Sequence, residues 1–224
     1  MNEILLLCII IISLITIYIT NRYLNKLGLT VLFVVSSALS CILTFKYTTF
    51  STLHFNCNAI IYVTMFTALY LLLEKNSKKE VSKIINLSFI INIYNSIMLY
   101  LMSTYTQSLT DTVGINMTNI FINNYRILIA FPISLFISEK VLLLIYEKVK
   151  ALYDNLFIST VTTYLAVGLI ESIIYTLISY YNILNNQTII KILLSTYMIR
   201  LLITVIYSLF LIKITTKKVK KWVI

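Results

Sequence analysis

The chain is poor in the residues that punctuate or build soluble enzymes: 224 residues hold three glycines, one proline, one histidine and eight carboxylates. No glycine-rich loop ends in Gly-Lys-Ser/Thr, so the chain cannot hold a nucleotide in the P-loop manner, and any ATP-derived energy has to come from a partner subunit. Cys8, Cys41 and Cys57 show no paired spacing, which excludes a legible zinc site or disulfide framework. No cofactor or metal is implied. A thiol peptidase built on "HFNC" (His54 and Cys57) needs a thiolate and an oriented base, and no carboxylate stands nearby to orient one. The chemistry read here is therefore not enzymatic.

What the chain has in abundance is apolar sequence. Hydrophobic residues make up 59% and charged residues 12%, with a mean hydropathy of +0.92, the signature of an integral membrane protein. A bilayer core of ~30 Å takes about 20 apolar residues as helix. Stretches 4–20, 27–45, 56–73, 84–104, 125–146, 156–181 and 188–212 meet or approach that length. The expected fold is all-α, a polytopic transmembrane helical bundle of six to seven spans forming one integral membrane domain over residues 1–224. The polar stretch "TYTQSLTDTVGINMTNIF" (104–121) reads as a loop or a short re-entrant piece. The N-terminal segment has neither a basic leader nor a small-residue cleavage site and reads as a retained anchor.

A net charge of +10 would suggest nucleic acid in a soluble protein, but here the positions decide otherwise. Thirteen of the 18 basic residues fall on one side: Arg22, Lys26, Lys75, Lys78, Lys79, Lys83, Lys148, Lys150, Lys213, Lys217, Lys218, Lys220 and Lys221. The rule that cytoplasmic connectors carry the Lys and Arg then predicts a multi-pass protein of the cell membrane with an outer N-terminus and a cytoplasmic C-terminus.

Ionisable side chains within spans cost a few kcal/mol each and persist where they face protein, water or a ligand. Glu171 stands in "LAVGLIESIIYTLI" and Arg200 near the middle of the last span. Steps of three and four place Thr160, Tyr164, Gly168, Glu171 and Tyr175 on one helical stripe, and Thr196, Arg200, Thr204 and Tyr207 or Ser208 on another. The short connector "NILNNQ" makes these two helices antiparallel neighbours, with Glu171 and Arg200 at similar depth. They can form a structural ion pair, or line a midplane cavity in which Glu171 accepts hydrogen bonds from a ligand. Glu139 and Lys140 lie nearer the basic side and read as structural, with the lysine snorkelling to the interface.

Three segments carry a resemblance: "FTALYLLLEKNSKKEVSKII" (66–85), "FISTVTTYLAVGLIESIIYTLI" (157–178) and "LLSTYMIRLLITVIYSLF" (193–210). With these, and an opening "MNEILLL", the chain resembles the vitamin-uptake-transporter-like family of queuosine precursor transporters over nearly its whole length. The resemblance implies a membrane importer of 7-deazaguanine precursors or related small planar solutes. It departs from the family pattern at Tyr70, Leu142 and Tyr207, where the family has Asp, and at Val167 and Gly168, where it has Ser-Gln. An acid matching Glu171 is retained, and Arg200 stands where the family has Lys.

On this reading Glu171 is the recognition acid and Arg200 its charge partner or a second contact. Tyr164, Tyr175 and Tyr197 are the candidate wall, and Gly168 leaves room beside the acid. A carboxylate can accept paired bonds from a deazaguanine's ring N–H and exocyclic amine. The alternative is a substrate-binding membrane subunit of an energy-coupling-factor importer, which needs an ATPase and a coupling subunit. In either case the expected partners are a small-molecule substrate and the lipid bilayer, not nucleic acid.

Overall fold

The computed structural model describes residues 2–219 except 51, 52, 107, 109 and 154, without the side chains of residues 2, 49, 50, 53, 54 and 215–219. The expected helical bundle is observed. In chain order the helices are α1 (Asn2–Ile19), α2 (Asn25–Leu43), α3 (Ala59–Lys75), α4 (Lys78–Ser103), α5 (Gly114–Met117), α6 (Tyr125–Leu152), α7 (Leu156–Tyr180) and α8 (Asn186–Val219). Five helical stretches are long and apolar enough to cross a bilayer: Glu3–Leu43, Lys78–Ser103, Tyr125–Leu152, Leu156–Tyr180 and Asn186–Ile214.

The first of these, 41 residues, would run ~60 Å if straight, about twice a hydrocarbon core. It turns back instead. A π-helical turn at Thr20–Leu24 leads into Asn25, whose φ of 46° is a left-handed value that Asn tolerates. Gly28 makes the return tight, since a Cβ there would lie 2.4 Å from Leu24 Cβ. Because α2 comes back, the strand that follows it packs against α1. With the 17-residue α3, the described residues hold seven helices of 17 residues or more.

Burial is inverted relative to a soluble protein. Large apolar side chains on α1, α4 and α8, such as Ile4, Leu7, Ile90, Leu194 and Leu202, face outward, while polar residues fill the seams between helices. Between α2 and α4, Ser37 and Ser88 hydroxyls meet at 2.8 Å and Asn92 donates to Ser37 at 3.1 Å. Pro132 removes from α6 the N–H that would serve the Leu128 carbonyl, and Ser96 of α4 donates to that carbonyl instead, at 2.9 Å. Helix α3 is enclosed nearly all round, 13 of its 17 residues being buried.

One end of the bundle holds three ion pairs: Lys26 with Glu80 at 3.0 Å, Lys78 with Glu147 at 3.5 Å and Lys150 with Glu74 at 2.6 Å. This is the end where the basic connectors collect, although Lys220 and Lys221 lie outside the described residues. At the other end the structure adds something that periodicity did not indicate. Strands β1 (Tyr47–Phe50) and β2 (Leu53–Asn56) form an antiparallel hairpin, and Asn56, expected to begin the third span, is the last residue of its second strand. The 104–121 stretch is a loop with two short helical turns, α5 and a π turn at Thr118–Ile122.

Candidate functional site

Helices α7 and α8 bring the two polar stripes face to face. Thr160 donates to Ser208 at 2.9 Å near the basic end, and Arg200 Nη1 meets Glu171 Oε2 at 2.5 Å further along, as antiparallel neighbours require. All the residues of both stripes are buried. Glu171 is 0% exposed and Arg200 2%, so their charges are compensated by each other rather than by water. Burying two ions costs several kcal/mol each, and close geometry repays that cost only when the remaining donors are also engaged.

Two groups from outside the stripes add to the engagement. Arg200 Nη2 donates to Asn58 Oδ1 at 3.1 Å, and the guanidinium carbon lies 3.8 Å from the centre of the Tyr62 ring, within cation–π range. Asn58 is the residue before α3, and Tyr62 is one turn into it. The hairpin therefore sets the site. It sets the start of α3 at the level of Glu171, nine residues or ~14 Å of helix before the C-terminal end of α7. Thr44, at the end of α2, receives a bond from Asn56 at 3.4 Å and donates to Tyr175 at 3.1 Å, and the Tyr47 and Tyr180 hydroxyls are hydrogen-bonded.

The aromatic residues form a connected row. Tyr62 and Phe66 have ring centres 4.8 Å apart, Phe66 meets Tyr164 edge-on at 6.3 Å, and Tyr164 lies parallel to Tyr197 at 6.4 Å. Tyr164 is fully buried within reach of Glu171 and Arg200. Tyr175 sits one turn outward, with Glu171 in electrostatic reach. Tyr197 is half-buried behind this row, with its hydroxyl donating to the Leu165 carbonyl at 3.0 Å. The room expected beside Gly168 is filled: a Cβ there would lie 2.8 Å from Tyr164 Cζ, so the glycine lets the Tyr164 ring fold back along its own helix.

Around the ion pair many polar atoms remain unspent. Glu171 Oε1, Arg200 Nε, Asn58 Nδ2 and the hydroxyls of Tyr62, Tyr164, Ser172 and Thr196 are buried without a hydrogen-bond partner of ordinary geometry among the described residues. The Tyr62 and Ser172 hydroxyls approach the Glu171 carboxylate without closing such a bond. Buried polar groups are normally paired, so this density of unmet donors and acceptors makes the cluster the candidate site. Asn58, Tyr62 and Thr196 were not singled out from the sequence as site residues. Of these, only Thr196 stood on a stripe that spacing picked out.

Glu139 and Lys140 part company. Lys140 reaches across to α4, donating to Ser82 at 2.9 Å and Asn86 at 2.6 Å, which is a structural role. Glu139 is 1% exposed, and its Oε1 has no partner among the described residues. The His54 side chain lies outside the described ones. Burial raises the Cys57 thiol above its ordinary range, the opposite of what a thiolate nucleophile needs.

The fold and the buried charge pair together define a polytopic helical membrane protein with polar groups inside the bundle. The family model described as "Putative vitamin uptake transporter" matches residues 56–214, and the chain belongs to that family. No curated protein matches the chain, and no solved structure does.

Proposed function

We propose that the chain imports a 7-deazaguanine-type queuosine precursor, or a closely related small planar solute, by alternating access around Glu171 and Arg200. The observation that carries this reading is the buried ion pair surrounded by unmet donors and acceptors and flanked by Tyr62 and Tyr164. A planar base that inserted beside Tyr62 would take paired hydrogen bonds on Glu171. Asn58 Nδ2 and the Thr196 hydroxyl would serve its carbonyl and ring nitrogen. Substrate and coupling-ion sites of many transporters lie near the membrane midplane, where a helix begins inside the bundle and irregular backbone lines the cavity. The start of α3 below the hairpin has that character. In this reading the hairpin end faces outward and the ion-paired basic end faces the cytoplasm of the cell whose plasma membrane holds the protein.

The test is complementation. Cells lacking their own precursor importer are given the gene, and queuosine in tRNA is measured while external precursor is limiting. Rescue by the wild type and loss with Glu171→Ala supports the assignment, and full rescue by Glu171→Ala refutes it. Purified protein in vesicles separates the importer from the energy-coupling-factor subunit. Uptake by the chain alone supports the first, and uptake only with an added ATPase module supports the second.

A further inference from the structure

Outside the Glu171–Arg200 pair, one buried carboxylate has no assigned work. Glu139 lies on the face of α6 that also carries Leu142, Tyr146 and Lys150, steps of three, four and four residues along the helix. That face meets α3: Tyr146 donates to Glu74 Oε1 at 2.8 Å and its ring is 5.2 Å from that of Tyr70, while Lys150 closes on Glu74. Counting back seven residues, ~10 Å of helix, puts Glu139 near the level of Tyr62 and Phe66. Tyr62 is in electrostatic reach of Glu139 as well as of Glu171 and Arg200.

Among the described residues, the charged and titratable groups around Glu139 do not supply a counter-ion. Lys140, beside it in sequence, is in electrostatic reach, but its ammonium is turned to Ser82 and Asn86 of α4. On α3 the neighbour is Tyr62, a neutral phenol. On α7 the buried acid Glu171 is already held by Arg200, and Tyr164 and Tyr175 carry no charge. On α4, Lys78 and Glu80 have their own partners at the basic end, and Lys79 and Lys83 line the surface recess there. On α2, Lys26 is paired with Glu80, and the Cys41 thiol faces Ser96. An ionised carboxylate buried with no cation and no donor costs far more than a neutral acid.

Resting on the importer reading above, we infer that Glu139 is the proton-carrying site of transport: it holds a proton in this arrangement, buried and with its Oε1 unpartnered among the described residues, and exchanges it with the two sides of the membrane as the bundle moves. The proton enters from the outer side with the solute and forms an O–H bond on the Glu139 carboxylate. When the bundle opens at the other end, that bond breaks and the proton passes to water at the basic end. Tyr146 and Glu74 line the way out on the same face of α6. The net movement is one solute and one proton inward, with Lys140 unchanged. Tyr62 links the two sites, because its ring touches Arg200 while Glu139 lies within its electrostatic reach.

Two measurements decide this, both with the full chain in lipid. In the first, infrared spectra of wild type and Glu139→Gln are compared at neutral pH without solute. Loss of a protonated-carboxylic-acid C=O band in the variant supports the inference, and identical carbonyl regions overturn it. In the second, vesicles are loaded with a radiolabelled 7-deazaguanine precursor. Glu139→Gln should abolish accumulation driven by an inward proton gradient while preserving exchange of internal for external solute. Gradient-driven accumulation by the variant, or loss of exchange in a variant with a wild-type melting curve, overturns the coupling role. If the wild type moves no such solute, the importer reading fails, and the infrared comparison still decides whether Glu139 carries a proton.

Discussion

Replacing Glu171 with Gln keeps the shape of the side chain and removes its charge, leaving Arg200 buried in the bundle. Arg200 would retain Asn58 at 3.1 Å and the Tyr62 ring at 3.8 Å, but it would lose the 2.5 Å bond to the carboxylate. A guanidinium does not give up its proton, and snorkelling cannot help when the nearer interface is ~14 Å of helix away. Breaking a buried pair from one side typically costs about 3–5 kcal/mol, so the bundle should lose that much stability. The reverse change, Arg200→Gln, leaves a carboxylate that can neutralise itself by taking a proton, and should cost about 1–3 kcal/mol. Combining the two changes should recover part of the loss. Reversible unfolding in mixed micelles, extrapolated to zero denaturant, measures all three. The reasoning is refuted if Glu171→Gln lies within about 1 kcal/mol of wild type, or if Arg200→Gln proves the more damaging.

Three further outcomes are expected. Gly168→Ala pushes a methyl into the Tyr164 ring, which is hemmed in by Phe66 and Tyr197, and should destabilise by about 1–3 kcal/mol in the same assay; no change would mean the ring is free to move. Ser96→Ala should cost about 1–2 kcal/mol by stranding the Leu128 carbonyl, and far less when Pro132→Ala restores the helix's own N–H; equal costs in both backgrounds would sever the link between them. With Cys57 as the sole cysteine, maleimide labelling at neutral pH should be slower than for a free thiol and should quicken as pH rises, because burial raises the thiol's pKa and shrinks the thiolate fraction; labelling as fast as a free thiol at neutral pH would contradict that shift.

The spans were legible because each carries its own record of the bilayer: length, apolarity and flanking lysines. The α7 and α8 stripes were legible for a related reason. Each helix has a lipid-facing side, so its inward polar residues stand out at steps of three and four. Helix α3 has no such side, and enclosure all round erases the contrast, which is why Tyr62 went unremarked and the helix's start was placed too early. The hairpin strands are four residues each, shorter than any window tuned to membrane spans. Asn58 belonged to a connector, and nothing in its neighbours marks it as reaching Arg200. Glu139 was read together with Lys140 as structural. The two point to different helices, a separation that adjacency in sequence conceals.

Strand backbone at the level of a buried ion pair has a consequence for amide exchange. The inner turns of α3, enclosed by protein and bonded along their own axis, should exchange hydrogen for deuterium only when the whole bundle opens. The hairpin's two short strands pair with each other alone, and the ladder does not extend into any wider sheet. Its amides should exchange far sooner, with the boundary between slow and fast falling at Asn58, where the outer connection hands over to Arg200. The expected step in exchange thus falls at the depth of the charge pair.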